Sequence, residues 1–374
     1  MSGPRGGGML RSVETRRRIP LTASLAVPAG LALALTGALP ASPVTTAPTV
    51  DQADETAYVA LGDSFSAGTG TRARTDNCYR SPYGYPALIA GAQGLTLDYQ
   101  ACSGATTADV LANQVGALGP ETGLVTMTIG GNDLGFASVI TECALPGWLS
   151  DCHGAINDGR QILQTQLPGR YDAVLGAIAA GAPSADVRVG GYPHLFNGRD
   201  CHLLTFFTRS EMDALNAATD ELDALVEQKT TGAGYTYVEP RDAFGGHAVC
   251  DRTEWINGLS WPIVESFHPN RAGNIAYADL FAPGSGTAEA SAVPAERTAQ
   301  SESTLVRRQA ETVLGMDLTS PANLRAARAA GIPTGTLQSV VRDLESGDTA
   351  RAAAALERLS ELDARHEARL GAHR

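Results

Sequence analysis

The chain has 374 residues, 43% of them hydrophobic, and a formal net charge of −12. That length allows two domains, or three, and that apolar share supplies a sizeable core. The acidic balance argues against nucleic-acid binding, which rests on a basic patch.

Arg11, Arg16, Arg17 and Arg18 precede an Ala/Leu-rich run from Leu21 to Leu39, and small residues follow at Ala41 and Ser42. This is the pattern of a secretory signal peptide, assigned to residues 1–41. A membrane anchor is the competing reading. Pro28, Gly30 and Gly37 interrupt the run, however, and no positive flank follows it. Residues 42–56, rich in Pro, Thr and Ala and then acidic, read as a flexible leader. The chain is therefore expected to be secreted and extracellular.

From Tyr58 the pattern alternates between strand and helix. Apolar runs at Tyr58–Leu61, Leu95–Tyr99, Leu124–Ile129, Val187–Gly190 and Tyr235–Val238 predict five strands. Helices are predicted over Pro86–Gln93, from Thr107 onward, over 154–181 and 209–229, with a closing helix over 271–281. Residues 140–153 read as an irregular, cysteine-bearing insertion, and 196–207, with Phe196, Phe206 and Phe207, as a loop. Such alternation builds βαβ units, so residues 57–282 are expected to form one three-layer α/β/α domain on a five-stranded parallel sheet. Residues 283–305 are dominated by Pro, Gly, Ser, Thr, Ala and Glu and read as a linker. Residues 306–374 lack Cys and aromatic residues and are rich in Ala, Arg, Leu and Glu. They are expected to be a helical C-terminal extension, with Gly347 ending one helix and Asp348 capping the next. The extension carries no catalytic signal, and binding of an unknown partner is one role open to it.

The six cysteines are Cys78, Cys102, Cys143, Cys152, Cys201 and Cys250. An even count in an exported chain reads as disulfides, and fifteen pairings are open on paper. The sequential set, Cys78–Cys102, Cys143–Cys152 and Cys201–Cys250, is the simplest because each bond closes a short loop. No CxxC occurs, and the group Cys143, Cys152 and His153 is a weak zinc pattern. No metal or cofactor is expected.

In open α/β sheets ligands sit at the carboxyl ends of the strands. Four candidates converge there. Ser64, in Gly62-Asp63-Ser64-Phe65-Ser66, ends the first strand. Gly104 follows the second, and Asn132 of Gly130-Gly131-Asn132-Asp133 follows the third. His268, in Ser266-Phe267-His268-Pro269-Asn270, precedes the closing helix. A serine hydroxyl is a weak nucleophile until an imidazole about 3 Å away takes its proton. Its attack on a carbonyl creates an oxyanion that calls for uncharged donors, such as a glycine N–H or an Asn amide. Glu265 can orient the imidazole through its carboxylate or its backbone carbonyl. Each residue alone has a plainer reading, since a Ser after a strand is usually a turn or cap and a His before Pro is commonly structural. Ser103 is a rival nucleophile. Asp63 and Asp133 read as turn braces, and His153, His194, His202, His247, His366 and His373 as surface or loop residues. The Gly-x-Ser-x-Gly elbow is absent.

Taken in order, these motifs closely resemble the SGNH (GDSL-type) esterases and lipases over about residues 57–282, and the cysteine pattern resembles their secreted actinobacterial branch. The resemblance implies a flavodoxin-like fold, Ser64 as nucleophile, no metal, and three oxyanion donors: the N–H groups of Ser64 and Gly104 and the side chain of Asn132. Many members carry Asp three residues before the histidine, where this chain has Glu265. Some secreted relatives use only a backbone carbonyl, so a triad and a dyad both fit.

The expected function is that of a secreted, monomeric serine esterase or lipase. It would cleave carboxylic esters of acyl lipids or short acyl esters, with interfacial lipid contact. The resemblance to that branch and the Phe206–Phe207 loop favour acyl lipids, although ordinary core packing also gives an apolar loop. A polysaccharide O-deacetylase and a non-catalytic secreted binding protein are the other readings.

Overall fold

A computed structural model describes residues 57–202, 204–282 and 302–372. The expected signal peptide (1–41), the leader (42–56) and most of the linker (283–305) lie outside these residues. Strands β1 (Ala57–Gly62), β2 (Thr96–Tyr99), β3 (Thr122–Thr128), β4 (Asp186–Gly190) and β5 (Thr236–Val238) form one sheet in the order β2-β1-β3-β4-β5. Every neighbouring pair is parallel. β1 and β3 are buried almost throughout, as strands covered on both faces must be, and so they read as unbroken apolar runs.

The helices before the extension are α1 (Ser64–Ala67), α2 (Tyr85–Gln93), α3 (Thr107–Asp109), α4 (Phe136–Cys143), α5 (Cys152–Thr165), α6 (Leu167–Gly181), α7 (Arg209–Gly232) and α8 (Arg271–Phe281). α2 packs on α8, while α6 packs on α3, α5 and α7. These are the two helical layers that right-handed crossovers place on opposite faces of this strand order. β1 lies between β2 and β3, so the connections leaving it and β3 run in opposite directions. The crevice at that reversal is where the loops after β1, β2 and β3 meet.

The single helix expected over 154–181 is two. α5 stops at Thr165 and α6 starts at Leu167, with Pro168 in its first turn. There proline's missing N–H costs nothing, whereas inside one long helix it would break a hydrogen bond and clash. α4 likewise fills the first part of the stretch read as irregular. Three disulfides join Cys78 to Cys102, Cys143 to Cys152 and Cys201 to Cys250. Each typically adds about 2–4 kcal/mol by constraining the unfolded chain.

Four more helices follow: α9 (Glu302–Gly315), α10 (Pro321–Ala329), α11 (Thr334–Glu345) and α12 (Thr349–Ala372). Gly347, at φ +72°, separates α11 from α12, and Asp348 Oδ1 accepts the Arg351 N–H. Val313, Leu337, Val340, Ala355 and Leu359 are fully buried among these helices. The same core takes in Trp148, Leu204 and Phe206 from loops of the sheet-bearing part. Gly147 N–H donates to Asp363 Oδ1 at 2.7 Å, and Trp148 meets His366 edge-on. The aromatic loop over 196–207 is thereby accounted for by core packing. Phe206 packs under the extension, and Phe207 packs on Phe196 and Phe267. His366, read as a surface residue, is buried. Among the described residues no helix is long and apolar enough to cross a membrane.

Candidate active site

β1 leaves the sheet at Gly62, whose φ is +119°. A Cβ there would sit 2.3 Å from the Thr128 carbonyl, so only glycine lets the chain turn this close to the end of β3. The Gly62 N–H donates to Gln114 Oε1 at 2.7 Å, and its carbonyl accepts from Gln114 Nε2 at 2.9 Å. Asp63 caps the following turn, accepting the Phe65 N–H at 3.0 Å. Ser64 is thus the first residue of α1, held by a fixed strand end.

His268 comes 204 residues later, and its Nε2 lies 2.7 Å from Ser64 Oγ. Its Nδ1 lies 2.8 Å from the Ser266 carbonyl. A carbonyl can only accept, so Nδ1 carries the hydrogen and Nε2 turns its lone pair to the serine hydroxyl. Phe267, between them, has φ +58°. This conformation is uncommon and costly for a bulky residue, and it lets the Ser266 carbonyl reach back to the ring two residues on. Burial lowers the His268 pKa to about 4, against the opposing pull of the Ser266 carbonyl. At neutral pH the imidazole is an uncharged base. Ser103 makes no such contact; its N–H donates to the Cys78 carbonyl.

Glu265 does not orient the imidazole, which corrects the expectation from its spacing. Its Oε2 accepts the Arg72 N–H at 3.1 Å, and its carbonyl accepts from Asn257 Nδ2 at 3.2 Å. The short turn Ile263–Glu265 aims that carboxylate at the loop after α1 and leaves the Ser266 carbonyl for His268. Burial pushes the Glu265 carboxyl up, and Arg72 partly offsets this. Glu265 therefore braces the His268 turn against residues 70–75.

The ends of β2 and β3 bond to the end of β1, with the Cys102 N–H donating to the Gly62 carbonyl and the Asp63 N–H to the Thr128 carbonyl, both at 3.0 Å. Gly104 has φ +86°, with nothing within 4 Å of where its Cβ would point. Its requirement for glycine is conformational, not one of crowding. Asn132 Nδ2 donates to the Ala105 carbonyl at 3.0 Å, which uses one amide hydrogen and leaves the other. Next to it, Asp133 accepts the Thr107 N–H at 2.8 Å, the Thr107 hydroxyl at 2.7 Å and Arg170 Nη1 at 2.9 Å. The two loops are thus bolted together beside the site.

Sequence reasoning missed Tyr192, whose one signal was its place after β4. Its hydroxyl donates to Asp63 Oδ2 and accepts the Gly131 N–H at 3.3 Å. It therefore links the residue before Ser64 to the residue before Asn132. Burial raises the Asp63 pKa to about 6, although Tyr192, Thr128 and the Phe65 N–H all stabilise its charge.

Ser64, Asn132, Phe65, Phe136 and Tyr192 line a cavity of about 420 Å³ including its open mouth; Gly104 is not in that lining. A second cavity, about 600 Å³ including its open mouth, shares Gly131, Phe136, Leu195, Thr219 and Leu222 with the first. It runs between α4, α5 and α7 and is walled by Val139, Ile140, Ile156, Leu163 and Leu215. The arrangement suits attack by a base-activated hydroxyl on an acyl carbon beside an apolar slot. Cys201, His202, Cys250 and Glu254 bring ligand atoms within 4.8 Å of one another, but both sulfurs are joined in a disulfide and offer no thiolate.

The profile of the GDSL-like Lipase/Acylhydrolase family matches residues 60–276. Lipase 1 of Streptomyces coelicolor is 39% identical over 263 residues, covering 69% of this chain and 94% of that protein. A lipase of Streptomyces rimosus is 38% identical over 264 residues, covering 69% and 94%. The crystal structure of phospholipase A1 from Streptomyces albidoflavus superposes with a TM-score of 0.58 at 39% identity, over 60% of this chain and 98% of that one.

Proposed function

Because the chain belongs to the GDSL-like lipase/acylhydrolase family and is a serine-type carboxylic ester hydrolase, we propose that it is secreted and cleaves acyl-lipid esters through Ser64 and His268. Ser64 Oγ attacks the ester carbonyl while His268 Nε2 takes its proton. The oxyanion is held by the N–H groups of Ser64 and Gly104 and by the free amide hydrogen of Asn132. Collapse expels the alcohol, which takes the proton back from His268. Water, activated by the same imidazole, then frees the acid. The Ser266 carbonyl holds the tautomer throughout, so the pair works as a dyad with a backbone orienter.

One observation carries this reading: the 2.7 Å contact between Ser64 Oγ and a buried, neutral imidazole. The adjoining apolar cavity supports a long acyl group over acetyl, and the relatives are named lipases and a phospholipase A1. Three disulfides and the signal-like N-terminus support export. All the reacting groups come from one chain, so a monomer suffices. The helices of 302–372 bury their apolar faces on one another and on Trp148, Leu204 and Phe206. We read them as a brace folded onto the catalytic domain of residues 57–282.

Chromogenic esters of increasing acyl length test the proposal with wild type and Ser64→Ala. We expect wild-type hydrolysis to favour medium or long chains and the variant to be inactive. Activity surviving in Ser64→Ala would overturn the assignment, and a profile confined to acetyl would favour polysaccharide O-deacetylation.

A further inference from the structure

Among the described residues the exposed large apolar side chains are Ile263 (50% exposed), Val264 (38%), Leu305 (37%) and Leu370 (42%). Isolated residues of this kind are ordinary on any surface. Ile263 and Val264 are not isolated. They continue Trp261-Pro262, with Pro262 exposed and Trp261 half-buried, and the four form an apolar tip. The tip belongs to the turn that presents His268.

The neighbours of the tip are cationic and aromatic. Arg72 and Arg74 are exposed. The Arg72 backbone is bonded to Glu265, the residue after the tip, and its guanidinium reaches Ser260, the residue before it. Arg74 lies over the Tyr79 ring at 4.7 Å, and Arg271 over the Tyr83 ring at 3.8 Å. Arg271 Nε also donates to the Thr71 carbonyl at 3.1 Å, and Asn257 Nδ2 donates to both the Gly70 and Glu265 carbonyls. Tip and rim are therefore one braced unit. Glu265, the acid within it, is buried.

We infer that Trp261–Val264 is the tip on which the enzyme seats at an anionic lipid surface, with Arg72 and Arg74 gripping head groups around it. The inference rests on the acyl-lipid reading, since such substrates are presented in aggregates. An apolar knob with a Trp and flanking arginines matches the depth profile of a lipid interface, apolar inward and cationic at the head groups. A chain of net charge −12 is repelled by an anionic surface unless it turns its local cations toward it. Because His268 shares the turn, seating the tip brings the catalytic pair to the lipid.

The test compares wild type, Ile263→Ser/Val264→Ser and Arg74→Gln by co-sedimentation. The vesicles are diether phosphatidylcholine with or without diether phosphatidylglycerol, lipids that hold no acyl ester to cut. The double variant is expected to bind about tenfold more weakly, and Arg74→Gln to lose about fivefold on the anionic vesicles alone. Arg74→Gln should hydrolyse a soluble short-chain ester at the wild-type rate, and the double variant should keep the wild-type melting temperature. Vesicle binding by the double variant equal to wild type overturns the inference, as does wild-type binding indifferent to phosphatidylglycerol and to salt. A wild type inert toward the soluble ester would instead refute the hydrolase reading, with the vesicle assay still deciding the surface.

Discussion

The sheet-bearing part and the helical extension both bury an apolar core, but they differ in the polar groups they bury with it. Beneath the sheet edge lie Asp63, Ser64, Ser66, Gln114, Thr128, Asp133, Glu265 and His268. Most are bonded across loops distant in sequence, as with Gln114 to Gly62 and Asp133 to Thr107. In the extension the buried polar residues among those described are Asp363 and His366, and both sit at the joint with Trp148 and Gly147. Burying a polar group costs free energy unless it is bonded. A region that keeps many such groups in place therefore uses them to fix a geometry. The extension fixes none beyond its own docking, which suits a brace.

That contrast breaks down if the two regions respond alike to mutation. The largest expected effect is in the sheet-bearing part. Ser64→Ala should lower kcat by about 10⁴-fold or more with an unchanged melting temperature. Asn132→Ala should lower kcat by about 10²–10³-fold, the usual cost of one oxyanion donor. In the extension the pattern should invert. Leu359 is fully buried, and Leu359→Ala should cost about 2–5 kcal/mol in denaturant unfolding while turnover of a soluble ester stays within about twofold. A large kcat loss there would give the extension a part in the chemistry.

Two pH experiments sharpen the comparison further. Burial holds the His268 pKa at about 4, and only the neutral imidazole is a base. The kcat/KM profile should therefore rise through about pH 4 and be flat by neutrality; an acid limb near the ordinary histidine value would show a solvated ring. The smallest effect concerns the joint. Burial raises the Asp363 pKa from 3.8 to about 7, with Glu367, Glu211 and Asp200 adding to the shift. A carboxyl with a raised folded-state pKa stabilises the fold most when protonated. This contribution should fade as pH climbs from about 4 through 7. Asp363→Asn keeps an acceptor for the Gly147 N–H and should flatten that part of the melting-temperature profile.

Much of this architecture could be read from residues 57–282 alone. Parallel strands buried on both faces leave continuous apolar runs, and Gly62, Asp63 and Asn132 mark where they end. Pro168 also signals the break between α5 and α6, because proline fits the first turn of a helix and not its interior. The orienter of His268 was not legible, because a backbone carbonyl leaves no side-chain trace. Choosing between Glu265 and the Ser266 carbonyl depends on the left-handed Phe267, which pattern does not reveal. The destination of Phe206 was hidden for another reason. It packs in one core with helices that begin only at Glu302, as the bond between Gly147 and Asp363 spans 216 positions.

The most direct test of the Ser64–His268 account is covalent trapping. The protein is incubated with a p-nitrophenyl alkylphosphonate, which an activated serine displaces to form a stable adduct, and the modified peptide is located by mass spectrometry. The account predicts one equivalent of p-nitrophenol released and the phosphonyl group on Ser64, with neither in His268→Ala on the same timescale. Labelling of Ser103, or stoichiometric labelling of Ser64 undiminished by loss of His268, would contradict it.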